Sequence, residues 1–289
     1  ARSYLESRGY DLLVADEICM TPYAELAPWL PKITIRHKVD YMHYRQMAAA
    51  RRFGQEKILD LIEAVKMRRY SRSKMHLYQG FVACSEDDAA LIRRDAPDIP
   101  ALVIPNGADL TKFVPSERSE DGEPVLLYVG SMHYYPNIDA MTFFFEEMYE
   151  PIRRKMPQVR MKVVGHAPPP EIESLAQLPH VEVTGSVPDV VPYYDRATVF
   201  IVPLRLGGGT RLKIIEAMAM GVPVVSTSVG AEGVDVESGE NILIADEAAS
   251  FTACVLRLLS DPGLRARITE GGRGWGERYD WRELTNPYP

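Results

Sequence analysis

The strongest constraint on the fold lies in residues 199–233, VFIVPLRLGGGTRLKIIEAMAMGVPVVSTSVGAEG. A β-branched apolar run at 199–204 gives way to Gly207, Gly208 and Gly209, followed by an almost wholly apolar helical run at 212–220. Gly221 stops that run, and a second apolar strand follows at 222–227. Strands that read as continuous apolar runs are buried on both faces, as in a parallel sheet. The stretch is therefore a strand, glycine loop, helix and strand unit of an α/β domain.

The charges in this unit are odd for a helix that only packs. Thr210 suits the N-cap, which leaves Arg211 and Lys213 in the first turn, where the helix dipole disfavours a cation by roughly 0.3–1 kcal/mol. Free N–H groups of a glycine loop and a helix N-terminus, with two cations beside them, suit a phosphate. The alternative is that both side chains reach into solvent. Glu216 lies past the first turn among Ile214, Ile215, Ala217, Met218 and Ala219, so its carboxylate needs a partner. Lys213 at i−3 is one candidate; the vicinal hydroxyls of a ribose, with phosphates held one turn earlier, are the other.

The run GGGTRLKIIEAMAMGVPVVST, followed by GAEG, resembles the donor-nucleotide signature of family 4 glycosyltransferases. Many members carry two glutamates separated by seven residues, the second before Ala-Met-Ala. Glu216 matches the second, and Gly208 stands where the first would be, as in a subgroup with a GGGTRLK-type loop. The resemblance implies an α/β chain of GT-B fold, with two Rossmann-like domains. It also implies retaining transfer of a sugar from a UDP- or GDP-sugar, without metal or other cofactor, to a glycan or lipid-linked acceptor.

Residues 124–289 read as a complete nucleotide-sugar-binding domain, with strands expected at 125–130, 160–165, 181–184, 199–204, 222–227 and 242–245. Helices fall between them, one at 139–155 and a last one from 248. Alternating β and α of this kind builds a doubly wound sheet. Gly130 and Ser131 close the first of these strands, where backbone can approach a ligand. Family members follow that glycine with an arginine and a lysine for the diphosphate; here Ser131, Met132 and His133 follow, so the phosphate charge falls to Arg211 and Lys213, with Arg205 in reserve. The resemblance places Val187 against the nucleobase, gives Gly208, Gly209 and Thr210 to the phosphates, and makes Glu232 a sugar contact beside further N–H donors at 230–233.

Residues 1–115 read as a partial, acceptor-side domain with strands at 12–15, 33–37, 81–85 and 102–105. Nothing matches the family's opening strand and glycine loop, so that portion is expected to be missing. His37 follows the second strand, where family members place a histidine near the transferred sugar. The polar run SERSEDGE at 116–123 reads as the linker.

Residues 44–76 hold nine Lys/Arg against three acids, in one long helical run whose Ile58, Leu59, Ile62, Val65 and Met67 form an apolar stripe. The stripe reads as buried beneath a solvated basic face, with contact to an anionic membrane as the alternative. A net charge of −7 argues against a nucleic-acid partner, and three scattered cysteines suggest neither a disulfide framework nor a zinc site. The expected setting is the cytoplasm, with room for attachment to the inner membrane face. An unpaired sheet edge in the shortened domain would favour a homodimer.

Overall fold

The computed structural model describes residues 2–51, 53–115, 122–207 and 211–285. They divide into two compact units, 2–105 and 106–207 with 211–285.

The first unit is built on four parallel strands in the order β1 (Leu13–Asp16), β2 (Lys32–Arg36), β3 (Gly80–Ala83) and β4 (Ala101–Val103). All four expected strands are present, displaced by a residue or two. Ser85 caps the helix Glu86–Asp95 by accepting the Asp88 N–H at 3.1 Å. The basic run departs from expectation. It forms two helices, Asp40–Ala50 and Gln55–Lys74, and the buried positions of the second are Asp60, Ala64 and Ser71. Ile58, Leu59, Ile62 and Val65 are 46–59% exposed, and Phe53 before them is 88% exposed. The helix turns small and polar groups inward because its own unit supplies their partners: Arg51 meets Asp60, and Ser71 accepts from Arg36 at 3.3 Å.

The second unit carries six parallel strands in the order β10-β9-β8-β5-β6-β7. They are β5 (Val125–Val129), β6 (Arg160–Val164), β7 (Val181–Val183), β8 (Val199–Val202), β9 (Val224–Ser226) and β10 (Leu243–Ile244). Alternation along the pleat sends Leu126, Tyr128, Val199 and Ile201 into one core, and Leu127, Phe200 and Val202 into the other. The helix expected at 139–155 starts earlier, at Tyr135 with Pro136 in its first turn, where a missing N–H costs nothing. It widens into one π-turn at Phe145–Tyr149 before Glu150–Lys155, because Pro151 supplies no N–H to the helical ladder. The last helical stretch is divided at Asp261 into Ala248–Ser260 and Pro262–Gly276.

Residues 106–115, grouped with the first domain on sequence, pack in the second unit. The Ala108 N–H donates to Tyr279 O at 2.8 Å, and Phe113 packs edge-on against Tyr194 at 6.1 Å. The strand order reverses between β5 and β8, since β5 leads outward to β6 and β7 while β8 leads the other way to β9 and β10. Doubly wound sheets bind ligands at the carboxyl ends of the strands flanking such a reversal.

Candidate functional site

The carboxyl ends of β5 and β8 carry the candidate site. β8 runs into Gly207, whose φ of 112° favours glycine, and the helix Leu212–Ala219 follows. Arg211 is the N-cap of that helix, at φ −87° and ψ 79°, so one expected cation does not occupy the first turn. Its guanidinium is 8% exposed and turns inward, donating to Val229 O at 3.3 Å and lying against Gly207, where a Cβ would come within 3.1 Å of it. Gly208, Gly209 and Thr210 lie outside the described residues.

Lys213 is the first-turn cation. Its Nζ donates to Tyr128 Oη and Asn137 Oδ1, both at 3.1 Å, and sits 4.3 Å from the centre of the Tyr128 ring. The Tyr128 hydroxyl also donates to Asn137 Oδ1 at 2.7 Å, and Asn137 Nδ2 donates to the Ser131 carbonyl at 2.8 Å. Among the described residues Lys213 has no carboxylate within ion-pair reach. Burial, with the nearby Arg211 charge as a second cause, pulls its ammonium down to about 7, against a raising effect of Glu216. Gly130 leaves room for this cluster: a Cβ on it would stand 2.8 Å from Lys213 Nζ and 3.0 Å from Asn137 Nδ2, so both side chains would have to shift. Ser131 meets this cluster through its carbonyl, while its hydroxyl shares a hydrogen bond with His133 Nδ1 at 2.9 Å.

Glu216 does not pair with Lys213 at i−3. Its Oε2 accepts the Tyr194 hydroxyl at 3.0 Å, and among the described residues its Oε1 has no partner. Burial raises this carboxyl, opposed by the Tyr194 hydrogen bond and by the charges of Lys213 and Lys112. Arg205 is committed elsewhere, in a two-pronged pair with Asp139 at 2.6 and 3.0 Å above the Phe143 ring.

The turn after β9 also differs from expectation. The N–H groups of Gly230, Ala231 and Glu232 donate to Thr227 Oγ1, Thr227 O and Val229 O, all within the turn, so they are not phosphate donors in this structure. Glu232 has an exposed side chain. Val187 is half-buried beside Ser186, whose hydroxyl shares a 2.7 Å hydrogen bond with His166 Nδ1; the His166 and His133 rings meet edge-on at 5.9 Å.

His37, at the end of β2 in the first unit, has Nε2 2.8 Å from Asp16 Oδ1, Nδ1 3.7 Å from Cys84 Sγ, and its backbone N–H donating to Glu17 Oε1 at 3.3 Å. The structure brings Gly130, Ser131, Lys213 and Glu216 together in the second unit. Tyr128, Asn137 and Tyr194 belong to the same cluster and escape sequence reasoning. A tyrosine inside an apolar strand signals a hydroxyl in need of a partner, yet nothing local says which.

Chemically, this cluster offers a cation that has no carboxylate partner among the described residues, and a carboxylate oxygen, at one strand edge. An anion beside Lys213 would hold its ammonium charged, and Glu216 Oε1 can accept a hydroxyl. Among the described residues no three His, Cys, Asp or Glu side chains stand together as metal ligands, and no helix is long and apolar enough to cross a membrane.

Residues 123–261 match the family described as "Glycosyl transferases group 1". The chain is 27% identical over 195 residues to a phosphatidyl-myo-inositol mannosyltransferase of Mycobacterium tuberculosis, covering 63% of this chain and 50% of that protein. It is 26% identical over 238 residues to a D-inositol 3-phosphate glycosyltransferase of Xylanimonas cellulosilytica, covering 70% and 55%. The chain thus spans about half the length of the curated relatives it matches. Among solved structures, the sucrose-phosphate synthase of Thermosynechococcus elongatus superposes with a TM-score of 0.78 at 21% identity, over 99% of this chain and 74% of that one. TarM gives 0.77 at 16% identity over 99% and 56%. The fold is that of the GT-B glycosyltransferases.

Proposed function

We propose that this chain is the donor-binding and part of the acceptor-side portion of a retaining, metal-independent family 4 glycosyltransferase that uses a UDP- or GDP-sugar. The observation that carries the reading is Lys213, a half-buried first-turn cation at the sheet's switch point that, among the described residues, meets hydroxyl and amide oxygens and no carboxylate. A diphosphate would supply the missing anion, and Glu216 Oε1 would accept a ribose hydroxyl. As the sugar leaves, charge builds on the departing diphosphate; Lys213, with Arg211 behind it, lowers that barrier electrostatically. This charge is the role a metal would otherwise fill, and we assign no metal to the reaction. His37 keeps its proposed place beside the transferred sugar by resemblance alone.

Neighbours and relatives support both donor bases: HepE of Anabaena is solved with UDP, and a relative in Mycolicibacterium smegmatis is named as GDP-mannose-dependent. The acceptor is a glycan or a lipid-linked sugar. The exposed apolar residues of the helix Gln55–Lys74 favour a peripheral site at a cytoplasmic membrane surface, and a homodimer through the same face is the competing occupant.

Thermal unfolding with UDP, GDP, ADP and their sugar conjugates tests the donor site. A ligand at 100 times its Kd adds about 2.7 kcal/mol of apparent stability. One base should raise the midpoint, and Glu216→Ala should remove the shift. No shift with any nucleotide sinks the proposal. A shift without transfer to any acceptor, and with slow hydrolysis alone, would reduce the chain to a nucleotide-sugar-binding module.

A further inference from the structure

We propose that Asp16, His37 and Cys84 form a proton relay that makes Cys84 a reactive thiol, oxidised by small hydroperoxides to a sulfenic acid. The three residues stand at the same edge of the first sheet. β1, β2 and β3 are adjacent and parallel, with Asp16 opposite Ile35 and Arg36 opposite Ala83, so the chain leaves all three strands side by side. Asp16 Oδ1 is 2.8 Å from His37 Nε2, and Cys84 Sγ is 3.7 Å from Nδ1. A carboxylate can only accept, so it takes the Nε2–H and leaves the Nδ1 lone pair facing the thiol. Carboxylate, imidazole and nucleophile in that order are the arrangement by which a base activates a weak nucleophile.

The corner that presents Asp16 is strained. Glu17 follows it at φ 70° and ψ 154°, a conformation few side-chain-bearing residues adopt, and the same turn aims the Glu17 carboxylate at the His37 N–H. Asp16 thus grips the ring while Glu17 grips the backbone. Cys84 itself lies two residues before the helix Glu86–Asp95, whose positive end favours a thiolate, although Glu86, Asp87 and Asp88 in the first turn offset part of that. The other charges around His37 are Arg36, Asp40 and the chain neighbour Lys38; Arg36 is shared between Glu17 and Asp40.

The step balances without any further reactant. The thiol proton passes to Nδ1, the sulfur attacks one peroxide oxygen, and the O–O bond breaks. The leaving oxygen takes the proton back from the imidazolium. Cysteine becomes sulfenic acid, and the hydroperoxide is reduced to an alcohol or, for hydrogen peroxide, to water. Cys84 is 4% exposed, which limits the oxidant to a small one. Cys19 is the natural reference: it is exposed and, among the described residues, has no imidazole within hydrogen-bond reach. Cys254 is partly buried, and burial raises its thiol.

The test is limiting hydrogen peroxide at pH 7 with dimedone trapping, and peptide mass spectrometry to follow each cysteine separately. An ordinary thiol is only a few per cent ionised at this pH, so His37→Gln should slow sulfenate formation at Cys84 about tenfold. Asp16→Asn should slow it less, with Cys19 unchanged in both. Both replaced side chains are largely exposed, and a measurement on the wild type alone guards against misfolded variants. The iodoacetamide rate of Cys84 should fall less steeply than that of Cys19 between pH 7.5 and about 6. An unchanged Cys84 rate in His37→Gln, parallel pH profiles for the two thiols, or a Cys84 that stays reduced while Cys19 is fully oxidised would each overturn the proposal.

Discussion

Each unit places a cation at the carboxyl end of its sheet, Arg36 buried at the end of β2 and Lys213 half-buried in the first turn of the helix that follows β8, and the two are treated in opposite ways. In the first, Arg36 closes β2 at 1% exposure, with Glu17 and Asp40 beside it at 3.7 and 3.0 Å and Ser71 accepting a further hydrogen bond. In the second, Lys213 faces a tyrosine hydroxyl and an amide oxygen and, among the described residues, has no carboxylate within ion-pair reach. A buried charge paired within its own unit is part of the fold, whereas one left with neutral partners can still take up an anion. Arg205 makes the point within the second unit itself, since its pairing with Asp139 leaves it no charge to offer.

This contrast breaks most easily at Arg36. Arg36→Met strands Glu17 and Asp40 beside an apolar group, and removing one partner of a buried ion pair typically costs about 3–5 kcal/mol. Urea unfolding monitored on the first unit should show a loss of that size; a change below about 1 kcal/mol would mean the two carboxylates are already solvated.

Lys213→Ala should do the reverse. Turnover with the nucleotide sugar should drop by about 10²–10³, the usual effect of removing one charge-stabilising donor, while the unfolding free energy is unchanged or rises. Undiminished transfer would remove Lys213 from the mechanism. The pH dependence follows from the same residue. Its ammonium is lowered to about 7 in the folded chain from an ordinary 10.5, so between these values the unfolded state binds more protons and stability climbs as pH rises. The penalty is fully present below 7, and the slope cannot exceed about 1.4 kcal/mol per pH unit. Donor affinity should run the other way, weakening above pH 7 as the anion loses its cation. Lys213→Met should flatten both curves in calorimetric titrations.

Glu216→Gln sharpens the comparison further. The amide oxygen can still accept from Tyr194, so the fold should hold, but the ribose would lose a charged acceptor. Donor Kd should rise about tenfold, the value of one charge-assisted hydrogen bond. Binding within twofold of wild type would return Glu216 to a packing role. The smallest effect belongs to Arg205→Ala: a half-exposed, two-pronged pair contributes about 1 kcal/mol, and donor affinity should not change measurably.

Much of the architecture was legible. All ten expected strands exist. The central strands of the second sheet, such as β8 and β9, are buried on both faces and so read as apolar throughout, while β1, β4 and β7 are partly exposed and are marked instead by short apolar runs ended by polar or glycine turns. The helix at 212 and the stop at Gly221 follow from the same local pattern. The helix Gln55–Lys74 shows the limit. Its apolar residues are spaced to be buried, yet Ile58, Ile62 and Val65 face outward, since Arg51 and Arg36 recruit Asp60 and Ser71 to the inner side. Periodicity says that a helix has an apolar face, not that its unit supplies a cover for it.

The candidate site divides in the same way. Sequence alone picked out Lys213 and Glu216, because a first-turn cation and a carboxylate amid apolar neighbours violate local rules that any helix obeys. Their partners were settled by tertiary structure: Tyr128 and Asn137 stand 85 and 76 positions from Lys213, and Tyr194 stands 22 from Glu216. So were the inward turn of Arg211, the capture of Arg205 by Asp139 and the use of the N–H groups at 230–232 within their own turn. Local sequence reveals a group that is out of place, because propensity and the helix dipole act over one turn. Which group satisfies it depends on strand order, and strand order brings together side chains whose separation along the chain carries no information about their distance in space.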